Sequence, residues 1–269
     1  MKKLLFLLIS FLLMFSSACL IEREDAIKIL IPKIGKADCI IIYKNNDCVM
    51  IDTGESEDDA EIVSVMQENN INRIDTLIIT HFDKDHVGGA AYLIDHFEIG
   101  RILRPVYTSG SDEYNAFMEA AFHKELQTEI IANKTSFHFE GIDFEVYPAE
   151  KNEYEKNADN NSSLVISAVY GENSLLFAGD AEKERLSELK DFGSYDFLKV
   201  PHHGSYNDET EAFINRTSAK YAVITCSDKN PPEKETVSLL KKAGAKVYET
   251  RNGNIEILMN EEKMQISQK

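Results

Sequence analysis

His81, Asp83, Asp85 and His86 place four potential metal ligands within the short segment Thr80-His81-Phe82-Asp83-Lys84-Asp85-His86-Val87-Gly88-Gly89. Packing gives no reason for so dense a set of imidazoles and carboxylates, whereas a divalent cation requires one. The segment therefore reads as half of a binuclear metal site. Three other stretches release polar groups at the end of an apolar run: Ile51-Asp52-Thr53-Gly54, Leu175-Leu176-Phe177-Ala178-Gly179-Asp180 and Lys199-Val200-Pro201-His202-His203-Gly204-Ser205. Imidazole and carboxylate without thiolate suit zinc, manganese or iron, and the carboxylate share favours harder ions such as manganese. A bridging carboxylate, for which Asp180 is the best placed, could hold two ions at the short separation used for in-line displacement at phosphorus. Metal-activated water would then attack, and no protein nucleophile is needed. Asp52 on its own reads equally well as a turn or helix-cap aspartate.

These groups lie far apart in the chain, so strands and turns must bring them together. Leu77-Ile78-Ile79 has strand composition and the residues from Val87 take up helical spacing, which puts the first cluster on a strand-to-helix turn. Such turns open on a crevice at the carboxyl edge of an α/β sheet, with Gly88 and Gly89 letting the backbone approach the metals. Residues 39–43 and 48–52 read as a hairpin, followed by a helix over 58–68. A helix is expected over 112–131, then strands over 136–139, 144–147, 164–169 and 175–178. The polar loop 157–163 between the last two pairs aims Asn160, Asn161 and Ser163 at the ligand edge. A helix over 181–189 precedes the paired histidines; helices 209–215 and 233–243 and strands 221–225, 246–249 and 255–259 complete the chain. His96, His123 and His138 lie in no ligand-like cluster and read as surface or packing residues. Strands in two blocks, each followed by helices, predict two sheets packed face to face with helices outside and the site at one end.

The chain is long enough for one large α/β domain. Its 29 basic against 46 acidic residues argue against broad electrostatic binding to a phosphate backbone, so nucleic-acid chemistry would have to be local, with the metals supplying positive charge. Met1-Lys2-Lys3, an apolar run and Ser16-Ser17-Ala18-Cys19 form an export signal too short for a membrane span. Cys19 is the expected lipid-anchor residue, with plain secretion as the competing reading. Of the remaining cysteines, Cys39 and Cys48 are read as buried apolar residues before a disulfide, and none has zinc-thiolate spacing.

Taken in order, these segments resemble metallo-β-lactamase-fold hydrolases, and most closely the hydrolase domain of ComEC-type DNA-uptake proteins. The resemblance rests on Ile34-Gly35-Lys36-Ala37-Asp38-Cys39, Ile51-Asp52-Thr53-Gly54, His81-x-Asp83-x-Asp85-His86, Asn160-Asn161-x-Ser163-Leu164, Phe177-Ala178-Gly179-Asp180 and the Lys199–Ser205 stretch. It implies a four-layer αββα sandwich over 19–269, following the signal peptide that the leader itself marks over 1–18. His81 and Asp83 would hold one ion and Asp85 and His86 the other, with Asp180 bridging and His203 completing the second. His202 would contact substrate or move a proton, joining Asp85 and Lys199 as the catalytic group. Lys199 or Ser205 would lie near the bound anion, and Asp52 would orient a ligand. Asp83 stands where the family has histidine, and the asparagine-serine loop replaces a further histidine, which implies a more weakly held first ion. Lys229-Asn230-Pro231-Pro232 stands where the subgroup places histidine before proline, so nuclease specificity does not carry over directly.

The expected function is an exported, membrane-tethered hydrolase with one or two zinc or manganese ions. It would act on a phosphoester substrate, nucleic acid included, and need no obligate protein partner. A phosphocholine or other cell-envelope phosphoester hydrolase competes with this reading, as does a non-catalytic envelope-binding protein on the same fold. A substrate panel separates the first competitor and metal content the second.

Overall fold

The computed structural model describes residues 21–269 apart from Glu24 and Asn152, so the leader and Cys19 lie outside the described residues. The first block of strands is β1 (Ile27–Ile31), β2 (Ile40–Lys44), β3 (Asp47–Ile51), β4 (Arg73–Ile74), β5 (Thr76–Ile78), β6 (Glu98–Ile99), β7 (Ile102–Pro105) and β8 (Thr128–Ile131). The second is β9 (Thr135–Phe139), β10 (Ile142–Tyr147), β11 (Val165–Tyr170), β12 (Asn173–Phe177), β13 (Phe197–Lys199), β14 (Tyr221–Ile224) and β15 (Lys246–Glu249). The terminal hairpin β16 (Ile255–Met259) and β17 (Met264–Gln268) returns to the first block. One sheet runs β17-β16-β1-β2-β3-β5-β7-β8, the other β15-β14-β13-β12-β11-β10-β9, and β4 pairs with β6.

The central strands of each sheet are apolar on both faces and carry near-continuous hydrophobic runs, whereas the edge strands β8 and β9 and the adjoining β10 turn polar residues to solvent. Ile40 and Ile42 point between the sheets with Phe144, Ile166 and Phe177. Cys39, Ile41 and Tyr43 face outward onto Ile62, Leu93 and Phe117 of the helices Asp59–Glu68, Ala90–His96 and Asp112–His123. On the other side, Leu176 and Leu198 meet Leu186, Phe213 and Leu240 of the helices Lys183–Glu188, Thr210–Thr217 and Lys234–Lys242. Each such side chain removed from water stabilises the fold by roughly 2 kcal/mol, and the result is the four-layer αββα sandwich.

The parallel pairs decide where the site lies. β3 pairs parallel with β5, and β12, β13 and β14 run parallel, so Asp52, His81, Asp180, His202, His203 and Thr225 all emerge at carboxyl ends of strands.

Several elements differ from the sequence reading. The helix expected to reach residue 131 ends at His123, because Glu125 adopts φ +55 and the β-branched Thr128, Ile130 and Ile131 join β7 as an edge strand. The polar loop 157–163 contains a helical turn, Ala158–Asn161. In the hairpin Tyr43 opposes Cys48, which leaves Cys39 at the far end; Cys39, Cys48 and Cys226 are free and buried. Gly88 and Gly89 do not face the metal cluster; a Cβ on either would collide with the backbone of the Thr53–Ser56 loop, at 2.4 Å from Thr53 O for Gly89. Among the described residues no helix is long and apolar enough to cross a membrane.

Candidate metal centre

Asp52 leaves β3 with φ +58, a conformation that costs a non-glycine residue about 1 kcal/mol. Three hydrogen bonds hold it there. Its Oδ1 accepts from Thr80 N at 2.7 Å, and its Oδ2 accepts from Thr80 Oγ1 at 2.7 Å and His86 Nδ1 at 2.8 Å. The turn carrying the first ligand cluster is tied to the same loop through Thr53 N, which donates to His86 O at 2.7 Å.

The other two imidazoles repeat the device. His81 Nδ1 lies 3.0 Å from Thr80 Oγ1, whose proton goes to Asp52. His203 Nδ1 lies 3.1 Å from Thr225 Oγ1, which donates to Asp38 Oδ1 at 2.5 Å. In each ring Nδ1 is engaged and Nε2 is left buried without a hydrogen-bond partner. The free nitrogens converge on carboxylates. His86 Nε2 is 3.3 Å from Asp180 Oδ1, and His203 Nε2 is 3.0 Å from Asp180 Oδ2 and 3.2 Å from Asp85 Oδ2, close enough for attraction but not aligned as hydrogen bonds. His81, His86 and Asp180 offer ligand atoms all within 4.8 Å of one another, and so do Asp85, His86 and His203. Buried donors of this type, each fixed through its second nitrogen, match what a divalent cation requires. The residues present fit the metal.

Charge in the centre is dense. Burial opposes ionisation of Asp180, yet His203, His86 and Lys199 hold it well below the usual carboxylate range. Burial is likewise overcome at His86, which Asp180, Asp52 and Asp38 hold well above the ordinary imidazole value. Two residues quoted only within a motif prove central here. Asp38, fully buried, pairs with Lys199 and receives the Thr225 hydroxyl. Lys36 sets its ammonium 2.6 Å from Asp85 Oδ2.

The expected site residues divide. His81, Asp85, His86, Asp180 and His203 are brought together, with Asp180 turning one oxygen to His86 and the other to His203. Asp83 sits at the rim, its side chain 42% exposed and 3.7 Å from His81 Nε2. His202 is partly exposed, with Nδ1 2.8 Å from Glu182 Oε1 and Nε2 3.4 Å from Asn160 Nδ2. Glu182 had no sequence signal beyond following a ligand by two residues. Lys199 is corrected: fully buried against Asp38 and Gly179 O, it neutralises carboxylates from behind and has no open face for an anion. Asn161 is corrected too, since its amide donates to Lys156 O and accepts from Arg185 N. Ser163 Oγ accepts from Asp180 N at 3.2 Å, and Ser205 closes the histidine turn by donating its N–H to His202 O. Both position backbone, and neither joins the ligand cluster.

Two facing sheets flanked by helices, with histidines and carboxylates gathered where their parallel strands end, define a class, and the chain belongs to it: the metallo-beta-lactamase superfamily, whose family model matches residues 33–227. Over 202 residues the chain is 29% identical to the ComE operon protein 3 of Bacillus subtilis, covering 72% of this chain and 26% of that protein. Over 245 residues it is 26% identical to Recombination protein 2 of Haemophilus influenzae, covering 87% and 29%. The chain thus spans less than a third of either relative. Among solved structures, the metallo-beta-lactamase fold protein YhfI from Bacillus subtilis shares the fold with a TM-score of 0.55 at 10% identity, covering 90% of this chain and 100% of that one.

Proposed function

We propose that this protein is a metal-dependent phosphodiesterase. The observation that carries the reading is the set of three buried imidazoles, each with Nδ1 engaged and Nε2 left without a partner, two of them turning Nε2 toward Asp85 or Asp180. His81, His86 and one oxygen of Asp180 would hold one ion, and Asp85, His203 and the other oxygen of Asp180 a second, with manganese or zinc as candidates. A divalent ion supplies Lewis acidity and offsets the negative charge that develops on phosphoryl oxygens. Asp52, Thr80 and Thr225 keep the ligands in register. His202, held beside Glu182 at the rim, is the imidazole free to pass a proton to the departing oxygen. The names of two relatives, Recombination protein 2 of Haemophilus influenzae and Competence protein ComA of Neisseria gonorrhoeae, support a nucleic-acid phosphodiester among the substrates. The acidic balance of the chain favours short or single-stranded forms over long duplex. The export signal supports an envelope location with Cys19 as anchor, which mass spectrometry of the mature N-terminus reads directly.

The test is a panel of bis-p-nitrophenyl phosphate, single- and double-stranded DNA, p-nitrophenylphosphorylcholine and a cephalosporin, each with manganese and with zinc. Manganese-stimulated diester cleavage is expected. Cleavage of p-nitrophenylphosphorylcholine alone moves the assignment to an envelope phosphoester hydrolase. Protein that retains no metal and turns over nothing is a binding protein on this fold.

A further inference from the structure

We propose that Lys36 is the residue through which this centre recognises the anionic oxygens of its substrate. The inference rests on the phosphoester reading and names a contact that reading lacks. Lys36 Nζ lies 2.6 Å from Asp85 Oδ2, and its side chain is 35% exposed where that of Asp85 is 5%. The lysine therefore approaches the ligand cluster from the solvent side. Among the described residues the other lysine paired with the cluster, Lys199, is fully buried. The exposed Lys84, on the turn that carries Asp85, is engaged by Glu55 at 3.3 Å, and Asp83, 42% exposed, and Glu182, beside His202, are acidic. Among the described residues Lys36 is thus the accessible cation paired with a ligand carboxylate.

The backbone holds that cation in place. Asp38 N donates to Asp85 O at 3.0 Å and Gly54 N donates to Asp38 O at 2.8 Å, so the loop bearing Lys36 is bound to the turn bearing Asp85 and to the loop bearing Asp52. With Asp85 and His203 engaged as ligands of an ion, Lys36 would no longer be held by Asp85 Oδ2 but would stay beside it on the short loop. Its N–H donors would be available to a non-bridging phosphoryl oxygen, which an ammonium meets as a point charge.

The experiment measures equilibrium binding of inorganic phosphate to manganese-loaded protein by calorimetry, with metal stoichiometry determined in parallel. Lys36→Met is expected to weaken phosphate binding at least about tenfold at unchanged stoichiometry, while Lys36→Arg stays within roughly threefold of wild type. Unchanged phosphate affinity in Lys36→Met overturns the proposal, and so does wild type that binds no phosphate at millimolar concentration. A change in metal stoichiometry in Lys36→Met also overturns it, since the lysine would then serve the carboxylates and not the substrate. Failure of the phosphodiesterase reading looks different: wild type binds phosphate through Lys36 yet cleaves no diester in the panel.

Discussion

Asp180 and Arg185 are neighbours in the chain, both fully buried, and they belong to opposite kinds of polar cluster. Every donor group of Arg185 is used. Its Nε reaches Ser163 O at 3.1 Å, one terminal nitrogen Tyr147 O at 2.9 Å and the other Glu188 Oε2 at 2.9 Å. Glu188 is completed by Tyr154 OH at 2.7 Å and Glu150 N at 3.0 Å. Around Asp180 the pattern reverses, with the Nε2 atoms of His81, His86 and His203 unpartnered and aimed at a shared space. A buried polar network that satisfies itself fixes loops. One whose free valences converge is complementary to something absent from the chain, here a cation.

The largest expected effect breaks the second cluster alone. His86→Ala and Asp180→Ala should abolish metal retention and lower diester cleavage by at least about a thousandfold. The rise in melting temperature expected of wild type on adding manganese should be absent in both, because an ion held only by the folded wild-type site stabilises only that protein. If either variant keeps its metal and its activity, the convergence of free valences means nothing here. Arg185→Met attacks the other cluster and should behave in the opposite way. Leaving Glu188 buried without its partner is expected to cost about 3 kcal/mol of stability in urea unfolding, while the folded fraction keeps full metal stoichiometry. Between the two stands Glu182→Gln. It should leave metal content unchanged and lower the rate about tenfold by loosening His202, with Glu182→Asp recovering part of the loss.

The same contrast explains what could be read without coordinates. Ligands were legible because type and density mark them: His81, Asp85, His86 and His203 stand in segments with no packing rationale. Sheet faces were legible because both are apolar in the central strands. What stayed hidden depends on contacts across the sandwich. Asp38 acts through Thr225, 187 positions away, and through Lys199 from the opposite sheet. No local spacing reports such a pair. Asn161 was misread for the same reason: a loop of amides looks free until the backbone N–H of Arg185, in the first turn of a distant helix, is found to donate to it. The consecutive left-handed residues His202 and His203, at φ +45 and +51, likewise leave no mark on composition.

Asp59 sharpens the comparison because it has an orphaned buried oxygen outside either cluster. Its Oδ1 lacks a hydrogen-bond partner and presses on Gly89, where a Cβ would come within 2.8 Å of it. No imidazole ligand joins it in a metal-holding group, so the cost has to appear as proton affinity. Burial, with Asp58 adding to it, pushes the carboxyl from 3.8 up to about 6. The folded value lies above the unfolded one, so the folded state favours the protonated acid. That contribution is fully present below about pH 4 and is lost as pH rises through about 6. The full shift would correspond to about 3 kcal/mol, which partial solvent contact reduces to about 1 kcal/mol. Asp59→Asn should therefore be more stable than wild type by about 1 kcal/mol near pH 8 and indistinguishable from it near pH 4, both in chelator so that metal linkage does not enter. A gain independent of pH would show that the orphaned oxygen costs nothing as a charge. A loss of metal stoichiometry in the same variant would place Asp59 within the ion site, and the distinction between lone and convergent free valences would no longer hold.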